Sequence, residues 1–310
     1  MQLTRQLDEL TPELADEARA AVESLDQDGS FELRNHADWK AVVLQTVSRI
    51  YVGMPSHDLV TWAVQDAFDS GKAEKQSPDF LAARLSMMNF VSIDSTSITI
   101  ENVFYDILCN LNDRSPRMTT GGNLLDDLRS EIQAAYNKHH DHRSQWKNII
   151  NDLPLLEACL KESFRLNNFI SRTNIRKVMA PEGIDVPDIG RIPQGTVLGV
   201  SLWGAHHDEE AYPDAGKWRM SRWLDGGERE KISVFGKGSA KSLDQYLPFG
   251  YRRHSCPGRF FALRVVKLII VHLLLDYDVE MSTKERPWNP WLGVSRGPPM
   301  GSSIRFTRRP

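Results

Sequence analysis

The chain has 310 residues, 41% of them hydrophobic and 25% charged, which suits one large core or two modest domains and gives no sign of disorder. With 38 basic residues, 41 acidic ones and a net charge of -3, it lacks the positive field that nucleic acid as a main partner would require. Three cysteines, Cys109, Cys159 and Cys256, are too few and too scattered for a disulfide framework or a zinc site, and they suit a reducing compartment.

The first six residues are polar and do not read as a signal peptide. Residues 80–111 predict one long helix, with Leu81, Leu85, Met88, Val91, Val103, Phe104 and Ile107 as its buried stripe. Its middle, Val91-Ser92-Ile93-Asp94-Ser95-Thr96-Ser97, packs four hydroxyls and a carboxylate into seven residues. A core helix avoids that pattern unless a water-filled cavity lies beside it, and the bland alternative is a Ser/Thr patch facing solvent. Gly121-Gly122-Asn123 opens an amphipathic helix running to about Lys138, and Asp152-Leu153-Pro154 begins another. The second carries Glu162 and Arg165, three apart and so on one face; alone, such a pair is usually a solvated surface bridge.

Residues 174–203 alternate short apolar runs with Pro-Glu-Gly, Pro-Asp and Pro-Gln-Gly turns, which predicts a small sheet. His206 and His207 invite a metal reading, but adjacent side chains point to different sides of any regular element, which favours a polar loop. Residues 225–244 read as a solvated loop. Then comes Leu247-Pro248-Phe249-Gly250-Tyr251-Arg252-Arg253-His254-Ser255-Cys256-Pro257-Gly258-Arg259, followed by an apolar run over 260–275. Pro257 has its dihedral preset for a first helical turn, so Cys256 is expected at a helix N-terminus. There the dipole, with Arg252, Arg253 and His254, favours the thiolate. Gly250 and Gly258 let the backbone turn tightly and approach a flat ligand closely. The longest apolar stretch, 268–275, contains His272 and falls far short of the roughly 20 residues a spanning helix needs, so no transmembrane segment is expected.

Glu162 and Arg165, then Trp218-Arg219-Met220-Ser221-Arg222-Trp223-Leu224, then the cysteine run, come in an order that resembles the cytochrome P450 family of fungal-like monooxygenases. The resemblance implies a mainly α fold with a small β-sheet, here partial, and heme b held by Cys256 as axial thiolate ligand to iron. It implies that Glu162, Arg165 and Arg222 form a buried structural triad. It also implies that Phe249 shields the sulfur, that Gly258 is the glycine following it, and that His254 and Arg176 meet the heme propionates. Asp94, Ser95 and Thr96 match the proton-relaying groove of the distal helix. Arg252 stands where a glycine is usual, and Met220 and Ser221 where proline and glutamate are usual.

By the same resemblance residues 1–57 are an N-terminal helical segment and residues 58–310 the heme-binding core. The helices that roof the substrate cavity, the N-terminal sheet and a membrane anchor are expected to be missing from this chain. Its location would be cytoplasmic or peripheral at the endoplasmic reticulum membrane. Implied partners are O2, a lipophilic small-molecule substrate and an NADPH-dependent reductase; Arg252, Arg253, Arg259, Arg264 and Lys267 read as a basic patch suited to docking it, with a solvated helix face as the alternative for Arg264 and Lys267. Two rival readings remain: a heme-thiolate isomerase or dehydratase, and a non-catalytic truncated remnant.

Overall fold

Leu7, Leu10, Leu14, Ala18 and Ala21 recur at helical spacing and form the buried stripe of α1 (Leu7–Glu23). The computed structural model describes residues 7–52, 59–113, 122–139, 142–224, 245–251 and 254–310. After β1 (Ser30–Leu33), α2 (His36–Val52) lies against α1. A short helix α3 (Leu59–Asp69) and a 3-10 turn lead to α4 (Pro78–Cys109). Pro78 sits in the first turn of α4, and the Ser77 hydroxyl accepts the Phe80 N–H at 3.2 Å, satisfying one of the donors left over there.

The two halves of α4 differ. Residues from Ile100 to Ile107 are buried, whereas Met87, Phe90 and Val91 are exposed. Val91, expected on the buried stripe, is 48% exposed because no described segment covers that stretch of α4.

Next comes α5 (Leu124–Lys138), opened by a reciprocal capping box between Asn123 and Asp126. It is followed by α6 (His142–Asn151) and α7 (Pro154–Leu166). Glu131 of α5 caps α7, accepting the Leu155 and Leu156 N–H groups at 2.6 and 3.0 Å, and burial pushes its carboxyl up to about 7. β2 (Arg172–Lys177) pairs antiparallel with β5 (Val197–Ser201) across a bulge between Thr173 and Arg176. β3 (Ile184–Val186) and β4 (Gly190–Ile192) form a hairpin between them. Then follow α8 (Leu202–His206), a 3-10 turn at Met220–Trp223 and α9 (Arg259–Asp276).

α9 is apolar on all sides and is the helix about which α1, α4, α5 and α6 pack. Two of its three cations, Arg264 and Lys267, are turned inward. Lys267 Nζ donates to the Ile150 carbonyl at 2.9 Å and meets Glu157 at 3.3 Å, and Arg264 bonds Asp8 at 2.5 Å and the Leu7 carbonyl at 3.1 Å. Neither belongs to an open basic docking face, contrary to the sequence expectation; Arg252 and Arg253 lie outside the described residues.

β6 (Tyr277–Met281), β7 (Trp291–Leu292), β8 (Ser295–Arg296) and β9 (Ile304–Arg308) complete the order. β9 lies between β1 and β6 in a three-stranded antiparallel sheet that ties the two ends of the described chain. Phe306 of β9 stacks on Phe31 at 4.9 Å and meets Phe104 of α4 edge-on at 5.8 Å, so the sheet is fastened to the long helix by aromatic packing. Among the described residues no helix is long and apolar enough to cross a membrane.

Candidate functional site

Glu162 and Arg165 lie on the inner face of α7, both fully buried. The carboxylate accepts Arg165 Nε at 3.0 Å and Nη2 at 2.8 Å, a bidentate fork. The 3-10 turn at Met220–Trp223 brings Arg222 Nε to the same carboxylate at 2.9 Å and Trp223 Nε1 at 2.9 Å, and the Arg219 N–H adds another bond at 2.9 Å. Sequence reasoning gave no role to Trp223 or to the Arg219 amide, although both lie in the stretch that supplies Arg222. The remaining donors of Arg165 reach the carbonyls of His206, Ala215 and Lys217 at 2.6, 2.7 and 3.2 Å. A pair that would be trivial on a surface is here the centre of a water-excluded network joining α7, α8 and the 213–223 segment.

Behind this network runs the cysteine segment. The Gly250 N–H donates to the Leu247 carbonyl at 3.0 Å and the Cys256 N–H to the Phe249 carbonyl at 2.7 Å, holding Cys256 against Phe249. Gly250 has φ +78°, a conformation that suits glycine alone, and a Cβ there would lie 3.3 Å from Asn174 Oδ1 on the β2 bulge. The segment is thereby set against the strand that carries Arg176, whose side chain is exposed. Phe249 is half-buried and meets Phe164 of α7 edge-on at 5.3 Å. His254 is exposed. α9 begins at Arg259 rather than directly after Cys256: Pro257 and Gly258 form a turn, Gly258 is the N-cap, and Arg259 Nη1 donates to the Cys256 carbonyl at 2.7 Å.

On α4 the hydroxyl-rich stretch is bonded to its own helix. Ser92, Ser95, Ser97 and Thr99 donate to the carbonyls four residues earlier, with Ser95 at 2.5 Å from the Val91 oxygen. Thr96 is buried. Asp94 faces α2, where Lys40 Nζ lies 2.7 Å and His36 Nε2 3.8 Å from its carboxylate. Tyr51 of α2 lies near Ser92 and packs its ring 6.4 Å from that of Phe261 of α9, so one side chain lies between the hydroxyl-rich stretch and the helix that follows the cysteine.

Residues 169–171 are laced to the β7–β8 hairpin: the Ser171 N–H donates to the Val294 carbonyl and the Arg296 N–H to that of Phe169, both at 2.8 Å. Arg286 clamps this corner to α4, bonding Asp106 at 2.5 Å and Asn102 at 2.6 Å, while Asn167 at the end of α7 bonds the same buried Asp106 at 2.7 Å. Arg286→Ala leaves the Asp106 carboxylate without its cation. It is expected to cost about 3 kcal/mol, read as a fall in the denaturant midpoint at unchanged slope. An unmoved midpoint would mean that solvent screens the pair.

The residues around Cys256 suit a flat iron macrocycle. The thiol is free and exposed, a soft donor of the kind iron takes, and a Cβ on Gly258 would find only open space within 4 Å, room for a planar group beside the sulfur. The family model described as Cytochrome P450 matches residues 56–302. The chain belongs to the cytochrome P450 family. Among curated relatives, this P450 is 31% identical over 254 residues to the cytochrome P450 monooxygenase fsoD of Humicola fuscoatra, covering 77% of this chain and 44% of that protein. It is 32% identical over 269 residues to the cytochrome P450 monooxygenase polB of Polytolypa hystricis, covering 83% of this chain and 48% of that protein. It is 28% identical over 253 residues to the cytochrome P450 monooxygenase okaG of Penicillium ochrochloron, covering 74% of this chain and 45% of that protein. The chain spans about half the length of the curated relatives it matches.

Proposed function

We propose that the chain is the heme-binding portion of a monooxygenase that inserts one oxygen atom from O2 into a lipophilic small molecule, in secondary metabolism. The observation that carries this reading is the exposed Cys256 thiol on a segment braced against the buried Glu162 network, within the stretch matched by the family. In this reading Cys256 would ligate the iron, Phe249 would shield the sulfur, Gly258 would leave room for the macrocycle, and Arg176 and His254 would neutralise the propionates. When bound, a thiolate-ligated heme supplies O–O bond cleavage, favoured by electron density pushed from the sulfur. Asp94, with Ser95 and Thr96, would hold and pass protons. Lys40 keeps the Asp94 carboxylate oriented toward α2, so proton passage requires that side chain to turn. Electrons would come from an NADPH-dependent reductase. Val91, Asn168, Phe169, Ile170 and Ser171 would meet a substrate, and of these Val91 and Phe169 are exposed apolar side chains.

A second reading, an isomerase or dehydratase needing no external electrons, draws on one observation. The α4 hydroxyls are bonded back onto the helix and Asp94 is engaged by α2, a groove poorly arranged for proton delivery.

The test is the absorption of the heme-supplied chain after reduction under carbon monoxide. A strongly red-shifted Soret band, abolished in Cys256→Ala, is expected; no heme uptake, or a band that survives the substitution, overturns the assignment. Reductase-dependent oxygen consumption then separates the monooxygenase from the electron-independent alternative.

A further inference from the structure

His206, weighed in the sequence as half of a metal pair and set aside as loop, is almost completely buried at the end of α8. No group of three or more metal-ligating side chains surrounds it among the described residues. Its partners are instead two pieces of backbone. Nε2 lies 2.9 Å from the Leu247 nitrogen and Nδ1 lies 3.1 Å from the Arg165 carbonyl oxygen. A backbone N–H can only donate, so Nε2 must present its lone pair; the neutral ring then carries its proton on Nδ1 and donates it to Arg165. Arg165 answers with its own Nη1, donating to the His206 carbonyl at 2.6 Å. The ring also stacks on Tyr246 at 5.7 Å, whose hydroxyl donates to the Lys161 carbonyl at 3.3 Å. From Leu247 the connection continues through the turn to Gly250 and the Phe249–Cys256 bond.

We infer that His206 is the positioning residue of the cysteine segment: its imidazole, held as the Nδ1–H tautomer, transmits the placement of the Glu162–Arg165–Arg222 network to the backbone at Leu247. The network and the sulfur are otherwise separate in sequence, and this ring spans them with one hydrogen bond on each side. Burial, with the Arg165 guanidinium nearby, drives its pKa down to about 3, so the ring keeps the lone pair that the Leu247 amide needs throughout the neutral range. The neighbouring His207 stacks on Trp203 at 3.7 Å and carries none of this backbone, which makes it the internal control. The functional meaning of the placement rests on the reading of Cys256 as iron ligand.

Two variants separate the ring nitrogens. His206→Gln can set its carbonyl oxygen near the place of Nε2 and go on accepting from Leu247, whereas His206→Asn reaches only the place of Nδ1. In the heme-free chain, amide exchange across 245–251 is expected to quicken at least tenfold in His206→Asn, with 154–166 unchanged and with His206→Gln and His207→Ala like the parent. Equal quickening in both segments, no change in either, or a glutamine variant that behaves like asparagine would overturn the proposal. In the heme-supplied chain His206→Asn should lose most of the red-shifted reduced carbon-monoxide band that His206→Gln keeps; equal bands in both would count against it. If the parent takes up no heme, the iron-ligand reading fails while the exchange result still decides the role of His206. A third measurement does not depend on any variant folding. Nitrogen-15 spectra of the parent should show an Nδ1–H tautomer with Nε2 coupled to the Leu247 amide, and an Nε2–H tautomer would refute the assignment.

Discussion

Glu162→Ala is expected to destabilise the cysteine side of the molecule severely. The carboxylate accepts bonds from Arg165 Nε and Nη2, Arg222 Nε, Trp223 Nε1 and the Arg219 amide, in a site without solvent. Removing it leaves two guanidinium charges inside with no counter-charge, a loss of about 3–5 kcal/mol. That is a large part of the 5–15 kcal/mol by which domains are ordinarily stable. The expected outcome is a melting midpoint lower by on the order of 10 °C, or an insoluble chain. Arg165→Ala should cost as much, and the double variant little more than either alone, because each single change already wastes the other partner. If the two losses simply add, Glu162 and Arg165 do not act as a unit. Arg165→Lys keeps the charge but not the fork and is expected to recover less than half of the loss.

His272→Phe is expected to do the opposite and stabilise the chain. His272 is buried in α9 against Trp146, ring centroids 4.9 Å apart, and its nitrogens make no well-formed hydrogen bond; the Ala15 carbonyl approaches outside good geometry. An aromatic ring without polar atoms keeps the packing and removes the desolvation cost, a gain of about 1–2 kcal/mol at neutral pH. The larger effect comes in acid. Burial holds the imidazole neutral, its pKa lowered from 6.5 to about 3, so between those values the unfolded chain binds a proton that the folded chain refuses. The stability held above pH 6.5 is therefore lost as pH falls toward 3, at up to about 1.4 kcal/mol per unit. His206, lowered likewise to about 3, has the same sign. Glu131, raised to about 7, has the reverse: the folded chain holds its extra proton from pH 4.5 to 7 and stability falls as pH rises through that range. The difference between parent and variant isolates His272. By pH 4.5 the gap between their unfolding free energies should have widened by about 3 kcal/mol over its value at pH 7. Parallel pH profiles would show that His272 is protonated in the fold.

The cysteine run, the Glu162–Arg165 spacing and the long α4 were legible because each is written within a few turns of chain. The strands of 172–201 were legible from their turn residues. The sheet β1-β9-β6 was not: its strands are four or five residues long, and the Glu32–Ser303 contact at its edge joins positions 271 apart. His206 was missed for the same reason, since Arg165 and Leu247 each lie 41 residues away in opposite directions. Arg264 and Lys267 read as a basic face because their acceptors, Asp8 and Ile150 among them, are 256 and 117 residues away. Local spacing set Glu162 and Arg165 on one face, the resemblance added Arg222, and distant partners determined which way the other charged side chains turn.

The pairing of β1 with β9 also dictates an order of events during synthesis. At roughly 5–20 residues per second, about 15–55 s separate the appearance of Glu32 from that of Ser303 on a ribosome. Throughout that interval Phe31 and Leu33 lie on a strand without its β9 partner, beside a hydrophobic stripe of α1 that α2 covers early and α9 only later. On a ribosome β1 therefore stays unpaired until β9 has emerged, and slowing elongation would lengthen its exposure to aggregation.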